Sequence, residues 1–110
     1  MRAKAQVQAG VCGFRTNVSA SCEDGQMVTM AMTTDCEKIG EFARQLAARC
    51  PVDAFQEISP AGESVILSVW RATNKGCCAA CAVQVGTFKC MQVAAGLALP
   101  QEATVKVSTE

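Results

Sequence analysis

Three successive stretches between Lys4 and Thr33 alternate apolar and polar residues, and this period of two restricts the fold more than any other feature of the chain. In the first, Ala5, Val7, Ala9 and Val11 alternate with polar positions such as Lys4, Gln6 and Gln8. In the second, Phe14, Thr16, Val18 and Ala20 alternate with Arg15, Asn17, Ser19 and Ser21, and in the third Val28, Met30 and Met32 recur at the same period. Cys12-Gly13 reads as a two-residue hairpin turn in which Gly13 supplies a positive φ, pairing Val11 with Phe14 and Val7 with Val18. Glu23-Asp24-Gly25 reads as a bulged three-residue turn that sets Val28 opposite Ala20, Met30 opposite Val18 and Met32 opposite Thr16. Both registers put every apolar side chain on one face, so residues 3–33 predict a three-stranded antiparallel meander.

Beyond the meander the period changes. Ile39, Phe42, Ala43, Leu46, Ala47 and Cys50 form a helical stripe, opened by Thr34 and Glu37 at capping-box spacing and stopped by Pro51. Residues 52–62 read as a connection with room for a helical turn at 53–57, and Ser59-Pro60-Ala61-Gly62 as a turn. Val65-Ile66-Leu67 is apolar on both faces and predicts a fourth strand over 64–71, interior to the sheet. A second helix is expected over about 87–98, with a start as early as 79 allowed. Phe88, Met91, Ala95 and Ala98 would form its inner face, and Pro100 would close it. Ala103 to Ser108, with Val105 and Val107 alternating, predicts a last edge strand. The expected class is α+β, ordered β-β-β-α-β-α-β: a small antiparallel sheet, the meander plus one or two further strands, with two helices packed on one face.

The chain has 110 residues, enough for one domain with a modest core poor in aromatics: one Trp, four Phe and no Tyr. Ten basic residues balance ten acidic ones, which argues against the basic face that nucleic-acid binding requires. No apolar run approaches the roughly 20 residues of a membrane span, and Met1 to Gln6 lacks an apolar signal core. A cytoplasmic, reducing setting is therefore expected, in which cysteines stay as thiols rather than forming structural disulfides.

Eight cysteines and no histidine then define the chemistry. Without histidine there is no Cys–His nucleophile, no Ser–His–Asp triad and no mixed Cys/His zinc site. Three thiols are packed into Cys77-Cys78-Ala79-Ala80-Cys81, a spacing that suits thiolate binding of zinc, Cu(I) or an iron–sulfur cluster, or a dithiol redox pair. The meander register supplies two more, because Cys12 sits at the first hairpin tip and the third strand returns toward that tip before Cys36. Cys36 at a helix N-terminus faces unpaired N–H groups and the positive end of the helix dipole, a setting that favours thiolate, with Asp35 and Glu37 opposing. Cys12, Cys36, Cys77, Cys78 and Cys81 are therefore the candidate ligands, for an iron–sulfur cluster or for zinc, at one end of the sheet. Cys22, Cys50 and Cys90 fall on apolar faces and read as packing residues, and Met27, Met30 and Met32 as core filler. Three rivals stand beside the carrier reading: a structural zinc-thiolate domain, a thiol–disulfide or sensor protein using Cys78 and Cys81, and an interaction domain whose cysteines only pack.

The order Cys12-Gly13, then Cys36 at a helix start, then Cys77 or Cys78 before a late helix resembles the iron–sulfur cluster assembly scaffolds of the IscU / NifU N-terminal type. The intervals, 24 and then 41 or 42 residues, are similar, and the pattern spans roughly residues 7–95. The resemblance implies an α+β fold with a small antiparallel sheet, transient cluster assembly on three cysteines, and protein partners in metal or cluster transfer. Phe14 stands where that family usually has Asp, and the family's nearby histidine and N-terminal helix have no counterpart. The chain also resembles small cysteine-rich proteins of anaerobic microbes.

Overall fold

The computed structural model describes residues 1–76 and 78–110. Its sheet has four antiparallel strands in the order β1 (Arg2–Gln8), β2 (Arg15–Cys22), β3 (Met27–Thr34) and β4 (Val52–Asp53). Four helices complete the described elements: α1 (Glu37–Arg49), α2 (Ala54–Glu57), α3 (Val65–Thr73) and α4 (Val83–Ala94). The α+β class and the antiparallel meander are as expected. The element order, the helix count and the identity of the fourth strand differ.

The period of two does what burial requires. Val7, Thr16, Val18, Ala20, Cys22, Val28 and Met30 are buried on one face, while Lys4, Gln6, Asn17, Ser19, Thr29 and Thr33 stand exposed on the other. Both hairpins are nonetheless shifted by two residues from the expected registers. Val7 faces Thr16 and Ala5 faces Val18, while Ala20 faces Met30 and Cys22 faces Val28. The first shift arises because the connection is longer than Cys12-Gly13. A 3₁₀ turn spans Gly10–Cys12, closed by Gly13 N–H donating to the Gly10 carbonyl at 2.9 Å, with Gly10 and Gly13 both at positive φ. The second arises at Asp24, whose carboxylate accepts from Gln26 N–H and Met27 N–H and lengthens the loop. A slip of two leaves every side chain on its face, which is why alternation could not detect it.

α1 packs on β3 through Ile39, Phe42 and Leu46. Its N-cap is Cys36, without a side-chain cap bond. Thr34 is instead the last residue of β3. Its hydroxyl pairs with that of Thr16 at 2.8 Å and accepts from Cys36 N–H at 3.2 Å, so the expected capping box does not form. After Pro51, Val52 pairs with Val28 and supplies the fourth strand, and Asp53 caps α2 by accepting from Phe55 N–H.

The expected strand over 64–71 is a helix. Ser64 accepts from Leu67 N–H, and the buried Glu57 carboxylate accepts from Ser64 Oγ (3.0 Å), Val65 N–H (3.1 Å) and Ile66 N–H (2.6 Å). These contacts satisfy the first turn of α3, and Ile66, Val69 and Trp70 turn inward. Trp70 meets Phe42 of α1 edge-to-face, with ring centroids 5.0 Å apart. The late helix begins within the expected range but ends earlier, at Ala94, and its inner face is Val83, Thr87, Cys90, Met91 and Ala94. Residues 101–110 form no strand and are exposed throughout. Among the described residues no helix is long and apolar enough to cross a membrane.

Candidate functional site

The ends of the sheet are not alike. β1 rises to the 9–14 connection, β2 descends from it and β3 returns, so that Asp35 N–H donates to the Arg15 carbonyl at 3.2 Å. α1 begins there and descends. α3 climbs back antiparallel to α1, because Lys75 just beyond its end accepts from Lys38 Nζ of the first α1 turn at 2.6 Å. α4 then descends from the same end: a Cβ on Gly86 near its start would lie 2.5 Å from Val7 Cγ2, whereas Ala95 past its end lies beside Gly25 in the opposite loop.

Three chain segments therefore share one rim: the 9–14 connection with Cys12, the β3–α1 junction with Cys36, and the α3–α4 connection with Cys78 and Cys81. Cys77 lies outside the described residues. Cys12 and Cys78 are exposed, and Cys36 and Cys81 are half-buried against the core edge. Among the described residues, however, no three cysteine, aspartate or glutamate side chains stand close enough to hold one ion. The fold brings the segments to one end without closing the described sulfurs around a point.

The α3–α4 connection turns tightly at Cys78. Cys81 N–H donates to the Cys78 carbonyl at 3.3 Å, which folds Cys78-Ala79-Ala80-Cys81 into a turn. Within it Ala80 N–H donates to Cys78 Sγ at 3.3 Å. Asn74, at the end of α3, reaches the Cys78 carbonyl with Nδ2 at 3.5 Å, while its buried Oδ1 has no hydrogen-bond partner among the described residues. Gly76 adopts φ +74°, a left-handed conformation that residues with a Cβ rarely take.

A cleft of about 510 Å³ opens over the start of α1, lined by Thr34, Cys36, Lys38, Gly40, Arg44 and Thr73 among others. Its polar side chains are partly engaged with one another: Glu41 pairs with Arg44 and accepts from Gln45, contacts that hold its carboxyl below the usual carboxylate range. Sequence reasoning missed Lys38, Asn74 and Thr73 as parts of this rim. Lys38 could not be placed while 64–71 was read as a strand, since its contact depends on where α3 ends.

The three cysteines expected to be packing residues are placed accordingly. Cys22 and Cys90 are buried and Cys50 is half-buried, and burial pushes the Cys50 thiol up and the Cys90 thiol from about 9.0 to about 11. Such thiols are poor ligands and poor nucleophiles at neutral pH.

A family match covers nearly the whole chain, residues 3–107. The chain belongs to DUF6951, a family of unknown function. Comparison with curated proteins and with solved structures finds no match. The DUF6951 match takes in the rim, the core and both valines of the exposed tail.

Proposed function

We propose that this DUF6951 protein binds an iron–sulfur cluster or a single thiolate-held metal ion at the rim, as a carrier or assembly platform rather than as an enzyme. Cys36, Cys78 and Cys81 form the heart of the ligand set, with Cys77 and Cys12 completing it. The observation that carries the reading is the Lys38–Lys75 contact, because it ties the cysteine-bearing connection to the helix turn that begins at Cys36. The hydrogen bond from Ala80 N–H to Cys78 Sγ adds support, as does the similarity in cysteine order to the IscU / NifU scaffolds. Cys12 and Cys78 are exposed on surface connections, so metal binding itself would draw the sulfurs together, as expected where a site is incomplete without its ion. A site at a surface rim also suits loading and release to a partner protein.

Purification without oxygen, followed by elemental analysis and visible absorption, tests the proposal. An iron–sulfur cluster gives colour with iron and sulfide, whereas zinc thiolate is colourless. Folded protein containing neither iron nor zinc overturns the reading. The Cys78–Cys81 turn also favours a second reading, a thiol–disulfide protein, which predicts a reversible two-electron disulfide and no metal.

A further inference from the structure

The outer edge of β1 and the exposed tail are each incomplete, and each supplies what the other lacks. Met1 and Cys22 exchange backbone hydrogen bonds in both directions, so the odd-numbered residues of β1 bond to β2. Arg2, Lys4, Gln6 and Gln8 consequently direct their N–H and C=O groups away from the sheet, where no strand among the described residues pairs with them. In the tail, Thr104-Val105-Lys106-Val107-Ser108 has strand composition and period, yet Val105 is 88% exposed and Val107 90%. Both valines lie within the span shared by the family.

We infer that the tail of a second copy adds to β1 as a fifth, antiparallel strand, the exchange being reciprocal in a two-fold dimer. Charge selects the register. Val105 opposite Ala5 would place Lys106 against Lys4, and Val105 opposite Ala3 would place Lys106 against Arg2. With Val105 opposite Val7, Val107 faces Ala5 and Thr109 faces Ala3 on the apolar side. On the polar side Glu110 faces Arg2, Ser108 faces Lys4 and Lys106 faces Gln6. That register also brings Val105 to the end of β1 where Gly86 packs on Val7, beside the half-exposed Val85. Within one chain the tail leaves α4 at the opposite end, near Gly25, and its residues stand exposed and unpaired with their own β1, so the added strand comes from another copy.

Sedimentation equilibrium and amide hydrogen exchange of the full chain test this. Wild type is expected to sediment as two chains with slow exchange at Lys4 and Gln6. Val105→Asp/Val107→Asp should sediment as one chain with fast exchange there and an unchanged circular dichroism spectrum. Glu110→Arg should weaken the dimer and Arg2→Glu/Glu110→Arg restore it. A monomeric wild type overturns the inference, as does a dimer that survives the valine changes. A monomer whose Lys4 and Gln6 amides depend on the tail overturns it too, because the strand would then be added within one chain.

Discussion

Gly86 shows how one atom sets the distance between a helix and a strand. A Cβ at this position would lie 2.5 Å from Val7 Cγ2, and Val7 is itself buried, so it has little room to yield. Gly86→Ala is expected to destabilise the fold by about 1–3 kcal/mol. With Val7→Ala also present the clash is gone, and helix propensity, about 1 kcal/mol in favour of Ala, should make the same change neutral to stabilising. Urea unfolding of the four proteins measures the coupling. Cys90 offers a second test at this scale. Its thiol is pushed up to about 11 by burial, so between about pH 9 and 11 the unfolded chain loses a proton that the folded chain keeps. Stability should be unaffected by this group below pH 9 and fall as the pH rises through that window. Cys90→Ala should show a shallower fall in urea midpoint over the same range, and identical slopes would contradict the assignment.

Glu57 organises the turn from α2 into α3. Its carboxylate is buried and receives three hydrogen bonds from Ser64, Val65 and Ile66, so the first turn of α3 depends on a residue seven to nine positions earlier. Glu57→Ala should cost about 3 kcal/mol, the range for losing charge-assisted bonds at a buried helix start, and thermal unfolding checks it. Glu57→Gln, which keeps the acceptor oxygen, should cost less. This long-range cap lies outside the local pattern from which a strand over 64–71 is expected. Val65-Ile66-Leu67 is short, apolar and partly β-branched, and such a run does not discriminate helix from strand by itself. The discriminating signal was present in Ile66, Val69, Trp70 and Thr73, spaced i, i+3, i+4 and i+7, with Ser64 at the N-cap. The meander and α1 were legible because alternation and the Ile39-Phe42-Leu46 stripe each face a single core. Their exact pairing was not, since a slip of two residues preserves both faces.

The rim was legible at the level of the whole molecule for a related reason. Antiparallel connectivity alone sends Cys12 and Cys36 to the same end, whichever even register the hairpins adopt. The third segment reached that end by a different route than expected: α3, not a strand, delivers Cys78 and Cys81. What pattern could not supply was the approach of individual sulfurs, which depends on loop conformation and on the metal itself. If the rim holds metal, removing it with a chelator should lower the unfolding temperature of the domain while leaving the sheet's far-side residues unchanged. Metal per chain in Cys36→Ser, Cys78→Ser and Cys81→Ser, set against Cys22→Ser and Cys90→Ser, is the most direct measurement. The rim variants should lose most of the metal and remain folded, while the core variants should lose stability and keep it. Full metal content in the rim variants, or loss confined to Cys22 and Cys90, would contradict the account.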